Sequence, residues 1–348
     1  MLISGVSLRL PSARISNEEV LAKIAESSKD SYQGNLDEAL RAVQELFVQS
    51  GIETRAWFDV GEPWFPCVRS AVDDALEQAS CGKDDIDCII YCSVYRTVLE
   101  PSMSCMLGKA LAIHRATAFD VNEACGGWAR AIAISHAFLA QGTFKRILIV
   151  SNEACGGANG YGNDVFRLKS IEDLEWAFPS FTIGNAATAT VLSYDPDRKW
   201  EMVFESDNRF ADYCLFPTQW PRDHDHDLGI FSSQGMGPNV FTCYGTKLKT
   251  AISRKFLRFV DRSRSQLLAS DIFIPHTQAY KAYLDLFKLL KVSANIYSVF
   301  PKYGNIVTSS LPGTLADAMN FGAVRRGQKV FMVIPASGLS MASFSFVF

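Results

Sequence analysis

The six-residue word Asn-Glu-Ala-Cys-Gly-Gly stands at residues 122–127 and again at 152–157. A cysteine in a glycine-rich turn can be a nucleophile, a metal ligand or a small apolar core residue. Cys125 ends one apolar stretch, ATAFDVNEA, and opens another, CGGWARAIAISHAFLAQG. The second reads as a helix buried on most sides and stopped by Gly142. A thiol where a strand gives way to a helix meets free backbone N–H groups and the positive end of the helix dipole. Both lower its pKa below the usual ~8.5. Gly126 and Gly127 let a substrate carbonyl approach the backbone closely. Cys155 follows the strand-like KRILIVSNE but enters GGANGYGN, with no helical pattern behind it. A thiol there gains no dipole, so Cys125 is the candidate nucleophile and Cys155 the echo. Cys155 also lacks a CxxC mate, which speaks against zinc.

A nucleophilic cysteine needs partners. PHTQAY places His276 just after the strand-like DIFI, and YGNIVTSSLP places Asn305 in a glycine-containing turn before a helix. Each alone is a weak signal, since a lone histidine after a strand is more often a satisfied core residue. A strand-end cysteine, a strand-end histidine and a loop asparagine in this order are much less expected by accident. The run DHDHD at 223–227 offers His224 and His226 to a metal, but no third ligand stands at a recognisable spacing. It reads as a solvated loop, and no metal site is expected.

The elements that must position these residues are short apolar runs: DCIIYCSV, ATAFDVNEA, KRILIVSNE, AATATVLSY, ASDIFIPH, QKVFMVIPA and the closing SMASFSFVF. Most lie near helical stretches. Continuous apolar strands alternating with helices indicate α/β layers with helices on both sheet faces. Residues 1–195 are expected to form one half and 196–348 the other. The stretch 196–245, rich in Pro, Asp and His, is expected to open the second half as an irregular connection. The 348 residues suit two domains or two similar halves, and 48% hydrophobic content supports a large core. A net charge of -3 argues against a general nucleic-acid binder. Nine scattered cysteines do not read as a secreted disulfide framework. The N-terminus lacks a signal peptide's apolar core, and no run of about eighteen apolar residues exists. A soluble, cytoplasmic protein is expected.

FDVNEACGG, FTIGNAATATVLS, IPHTQAY, KYGNIVTSSLP and ASGLSMASFSFVF together resemble the thiolase superfamily, and within it the β-ketoacyl-ACP synthase III group. The resemblance covers nearly the whole chain. It implies a five-layered α/β/α/β/α fold of two pseudo-symmetric halves. It implies a Cys–His–Asn triad at Cys125, His276 and Asn305, and an oxyanion hole from the backbone N–H groups of Cys125 and Ser337, with Gly338 next to it. SGIETRAW resembles a segment whose arginine holds the phosphopantetheine-bearing substrate, which points to Arg55. The usual GDGAG-like turn reads GNAAT at 184–188, and the closing glycine-rich loop reads PASGLS at 335–340.

LEPSMSC at 99–105 separates the subtypes. Chain-initiating synthases usually carry an apolar aromatic before the Pro-Ser. Glu100 stands there instead, as in the OleA-like and α-pyrone-forming ketosynthases that join two acyl thioesters head to head. In that group the glutamate enters the partner subunit's site as a base. The bland alternative is a solvated glutamate at a turn. Decarboxylation of malonyl-ACP makes a carbanion without a base, whereas joining two acyl or β-ketoacyl chains requires α-proton removal. A carboxylate in an apolar pocket has a raised pKa suited to that task. The expected partners are acyl-CoA or acyl-ACP thioesters, an acyl carrier protein, and a second copy of the chain or a related subunit. No cofactor is expected beyond those thioesters. Three alternatives remain: a decarboxylative initiating synthase, an O- or N-acyltransferase, and an inactive supporting subunit. Glu123, beside the nucleophile, has no role assigned by sequence.

Overall fold

The computed structural model describes residues 1–157, 163–217 and 240–348. Its strands are β1 (Leu2–Arg9), β2 (Ala13–Ser16), β3 (Thr54–Trp57), β4 (Cys88–Tyr91), β5 (Thr117–Asp120), β6 (Arg146–Glu153) and β7 (Ala186–Ser193), followed by β8 (Trp200–Ser206), β9 (Cys214–Leu215), β10 (Thr242–Cys243), β11 (Ile272–Pro275), β12 (Lys329–Ala336) and β13 (Ser340–Val347). One five-stranded sheet runs β1-β7-β6-β4-β5, with β4 parallel to β5 and β6, and β7 antiparallel to its neighbours. A four-stranded sheet runs β11-β12-β13-β8, parallel at β11–β12 and antiparallel beyond. The strands of the first sheet end at Ser193 and those of the second begin at Trp200.

Five layers follow from which faces are apolar. The helices Phe65–Gln78 and Met103–Ala110 cover the outer face of the first sheet through Val68, Val72, Leu76 and Leu107. The helices Gly245–Arg262 and Tyr280–Leu290 cover the outer face of the second through Phe259, Tyr283 and Phe287. Between the sheets lie Gly127–Ala140 and Ser310–Asn320, whose buried residues join those of both sheets in one core. A helix between two sheets has no polar face to spare, which explains the run of small and apolar residues after Cys125. Trp128 ties the layers together. Its Nε1 donates to Thr190 Oγ1 of β7 at 3.0 Å, and its ring meets Phe344 of β13 edge-on at 6.3 Å.

One expectation is corrected. The stretch 196–245 is not an irregular connection throughout, because β8 pairs with β13 over Trp200–Phe346 to Ser206–Ser340. WEMVFES alternates, with Trp200, Met202 and Phe204 packed against the core, but its charged neighbours hid the pattern. The DHDHD run lies outside the described residues. No described helix is long and apolar enough to cross a membrane.

The start of the central helix is fixed by a close approach. A Cβ on Gly127 would stand 2.2 Å from the carbonyl oxygen of Cys92 at the end of β4. Gly127→Ala should therefore push the helix off the sheet and cost about 1–3 kcal/mol, the usual toll of overpacking. Gly82→Ala, where the nearest atom is 3.7 Å away, should change stability little. Urea midpoints of the two variants check this, and equal midpoints would mean the contact is soft.

Candidate active site

Both halves of the chain contribute to a cavity of about 630 Å³ at the C-terminal end of the central strands. Cys125, Cys155 and Leu99 come from the first half, and Cys214, Phe241, Asn305, Ser337 and Gly338 from the second. Its wall is mostly apolar, so few water molecules compensate a charge that forms there.

Cys125 projects from a tight turn. Gly126 N donates to Glu123 O at 2.8 Å and Gly127 N to Ala124 O at 3.1 Å. Ala124 takes a φ of +43°, a left-handed conformation that costs an alanine of order 1 kcal/mol. Thr308 Oγ1 donates to Ala124 O at 3.0 Å and holds the strained residue from across the cavity. No side chain caps the helix that follows. The expected lowering of the thiol pKa is corrected, however. Burial pushes the Cys125 thiol well above its ordinary value, Cys214 and Glu153 add to the rise, and its own backbone N–H opposes it only in part. Helix position alone cannot offset desolvation here. The resting Cys125 side chain is a neutral thiol.

Asn305 is placed by an interlock of two segments. Its N–H donates to Thr182 O at 2.7 Å and its carbonyl accepts from Gly184 N at 2.9 Å. Gly184 is required there, because a Cβ would stand 2.0 Å from Tyr303 O. Asn305 Oδ1 accepts from Val307 N at 3.0 Å, which leaves the Nδ2 donor for the cavity. Asn185, the departure in the GNAAT turn, both accepts from Gly156 N at 2.7 Å and donates to Gly156 O at 2.9 Å. An aspartate carboxylate could not donate that second bond. This pair holds the loop bearing Cys155, so the second copy of the word shares the cavity with the first.

His276 lies at the end of β11, 1% exposed, with its N–H on Val333 O at 2.8 Å and its carbonyl receiving Tyr283 Oη at 2.7 Å. It is not among the residues lining the cavity, and neither ring nitrogen has a hydrogen-bond partner in the protein. Burial lowers its pKa to about 4, so the imidazole is neutral. Two unpaired buried nitrogens are costly, which is the usual mark of a functional rather than a packing histidine. Glu100 is exposed on the surface and does not line this chain's own cavity, whereas Leu99 beside it does.

Arg55 requires a correction. It is wholly buried, and its guanidinium donates to Phe181 O at 3.2 Å, Ile15 O at 3.2 Å and Asn17 Oδ1 at 2.9 Å while lying over the Phe47 ring. Those bonds clamp the chain, and the buried side chain does not line the cavity. Glu123 also acquires a place. It accepts two guanidinium bonds from Arg130 at 2.7 Å and the Ser340 hydroxyl at 2.6 Å, which joins the Cys125 turn to β13. Ser337 Oγ donates to Cys214 O at 2.6 Å. Sequence reasoning missed Glu153, the counterpart of Glu123 in the second word. It is fully buried, accepts from Val94 N at 3.1 Å and Tyr95 N at 3.4 Å, and burial raises its pKa to about 7. Among the described residues no cluster of His, Cys, Asp and Glu is arranged to hold a metal.

His276 and Glu153 make opposite contributions to stability. His276, lowered from 6.5 to about 4, contributes fully above pH 6.5 and loses its share as pH falls toward 4. Glu153, raised from 4.5 to about 7, contributes fully below pH 4.5 and loses its share as pH rises toward 7. Glu153→Gln should therefore gain on the parent by about 1.4 kcal/mol per pH unit between these limits, and no further above pH 7. Denaturant unfolding of both proteins from pH 4.5 to 8 checks it. A constant difference would show that Glu153 does not titrate in this range.

Known proteins share both the segments and the fold. The family model of 3-oxoacyl-(acyl-carrier-protein) synthase III matches residues 119–162, and that of its C-terminal part matches 263–348. The β-ketoacyl-(acyl-carrier-protein) synthase III of Shewanella oneidensis is 26% identical over 78% of this chain and 80% of its own. That of Helicobacter pylori is 23% identical over 98% of this chain and 96% of its own. A variant of Xanthomonas campestris OleA, solved with lauric acid and lauroyl-CoA, superposes with a TM-score of 0.81 at 19% identity, covering 99% of this chain and 98% of that one. FabH from Xanthomonas oryzae superposes at 0.76 with 19% identity, over 99% and 98%. In these segments and in its thiolase-like α/β fold the chain is similar to ketosynthase III-like condensing enzymes.

Proposed function

We propose that the enzyme joins two acyl, or acyl and β-ketoacyl, thioesters by a Claisen condensation through an acyl-Cys125 intermediate, without decarboxylation. The observation that carries this reading is a buried thiol at a helix start, facing the Asn305 Nδ2 donor across an apolar cavity. The neutral His276 accepts the thiol proton on loading, since its nitrogens have no other partner. The acyl oxyanion is held by the N–H groups of Cys125 and Ser337. Asn305 and His276 stabilise the enolate of the second thioester.

Glu100 is the α-proton base, acting in the cavity of a second copy. Its exposure on this chain supports a role in trans. So does the edge strand β5, which has a neighbour on one side only and lies beside exposed Leu99 and Met106. An unpaired edge flanked by apolar residues favours a dimer. The Gly245–Arg262 helix, which follows β10 at the cavity rim, exposes Lys247, Arg254 and Arg258 along one face. That face suits the phosphates of CoA or an acidic carrier protein. The named relatives favour a second reading, a decarboxylative synthase using malonyl-ACP.

Three outcomes are expected. Intact mass after incubation with acyl-CoA should show an acyl adduct that Cys125→Ala abolishes and Cys155→Ala retains. Adducts that follow Cys155 instead would overturn the assignment. Glu100→Gln should acylate Cys125 nearly normally while condensation of two non-malonyl thioesters falls by roughly 10²–10⁴. With malonyl-ACP the loss should vanish, because CO₂ departure supplies the carbanion. Wild-type condensation by Glu100→Gln, or full activity from a strict monomer in light scattering, would move the second reading to first place.

A further inference from the structure

The cavity wall contains a pair of thiols that the condensation does not use. β9 and β10 run antiparallel with Cys214 directly opposite Cys243. Tyr244 N donates to Tyr213 O at 2.9 Å, which makes 213 and 244 the hydrogen-bonded pair of this ladder and 214 and 243 the non-hydrogen-bonded one. Cα atoms in such a pair stand about 4.5 Å apart with both side chains on one face. A disulfide spans about 4.4–6.8 Å between Cα atoms, so the backbone needs no rearrangement to accept one.

The two thiols are also chemically unequal. Cys243, 0% exposed, donates its S–H to the sulfur of Cys214. That bond outweighs burial and lowers the Cys214 pKa, while it raises that of Cys243. Cys125 and Cys155 have no such donor, and burial pushes both upward. Cys214 therefore carries the most thiolate character of the three cysteines that line the cavity. It lines the cavity, and Cys243 does not. A cavity-lining attacking thiol of lowered pKa with a resolving thiol directly behind it is the arrangement of redox-active pairs.

We propose that Cys214 and Cys243 are a redox-modification site, forming a reversible disulfide in the cavity wall under hydrogen peroxide. The Cys214 thiolate attacks one peroxide oxygen. An S–O bond forms, the O–O bond breaks, and hydroxide leaves, to be protonated to water. Cys243 then gives up its proton and its sulfur attacks Cys214 sulfur. The S–S bond forms, the S–O bond breaks, and a second water leaves with that proton. The two thiols lose two electrons and the peroxide gains them; a dithiol reductant reverses the change. Cys214 lines the cavity with Cys125, so oxidation removes one thiol from that wall without moving the strands.

The test uses the full chain, reduced and then exposed to hydrogen peroxide, with free thiols blocked by N-ethylmaleimide. Peptide mapping without reductant should yield one cross-linked species joining Cys214 to Cys243, with Cys125 still alkylated, and a dithiol should remove the link. Cys243→Ser should give no cross-link and leave Cys214 as a sulfenic acid that dimedone traps. If Cys125 or Cys155 oxidises while Cys214 and Cys243 stay free, or if Cys214 pairs with Cys125, the proposal is wrong. The wild-type map decides even if the variant does not fold, and none of these readouts depends on which thioesters are condensed.

Discussion

Everything in this molecule depends on burying a working polar site in the layer between two sheets. That layer is filled by the helices Gly127–Ala140 and Ser310–Asn320, packed on both faces. A thiol, an imidazole and a carboxamide placed at its end lose their water. Desolvation then fixes their charge states: the Cys125 thiol is held protonated and His276 neutral. The proposed chemistry therefore begins from uncharged partners, with both ring nitrogens of His276 left without a partner in the protein.

The same constraint explains where strain is stored. Of six non-glycine residues with left-handed φ among those described, Ala124, Val307 and Leu339 flank Cys125, Asn305 and the Ser337–Gly338 segment. Each lies where a chain segment must turn sharply to aim a group into the cavity. The rest of the structure holds these turns by hydrogen bonds from far in sequence: Thr308 to Ala124, Thr182 to Asn305, Ser340 to Glu123. A turn held from several sides can keep a conformation that costs it about 1–3 kcal/mol.

The repeated word shows how one sequence serves two environments. Glu123 sits at the cavity edge and is neutralised by Arg130. Glu153 is buried inside, held by backbone N–H groups, with its pKa raised to about 7. Cys125 opens a helix and Cys155 a glycine loop that Asn185 pins from both sides. The word is the same; the elements that follow it are not.

By itself the sequence determined the layers and singled out Cys125 as the candidate thiol. Apolar runs of strand length, a helix of small residues after Cys125 and the alternation of the closing strand are local patterns, and local patterns are legible because period and length report which faces are buried. The Asn305 turn was legible for the same reason, from its glycine and the helix behind it. Only the tertiary structure decided the rest. Arg55 resembled a substrate ligand, but folding buries it away from the cavity, where it donates to Ile15, Asn17 and Phe181. β8 read as loop because its partner, β13, lies more than a hundred residues away. Cys155 joins Cys125 in one cavity, Cys214 faces Cys243, and burial overrides the helix dipole at Cys125. Desolvation and proximity are sums over residues that meet only when the chain has folded, so no window of sequence contains them.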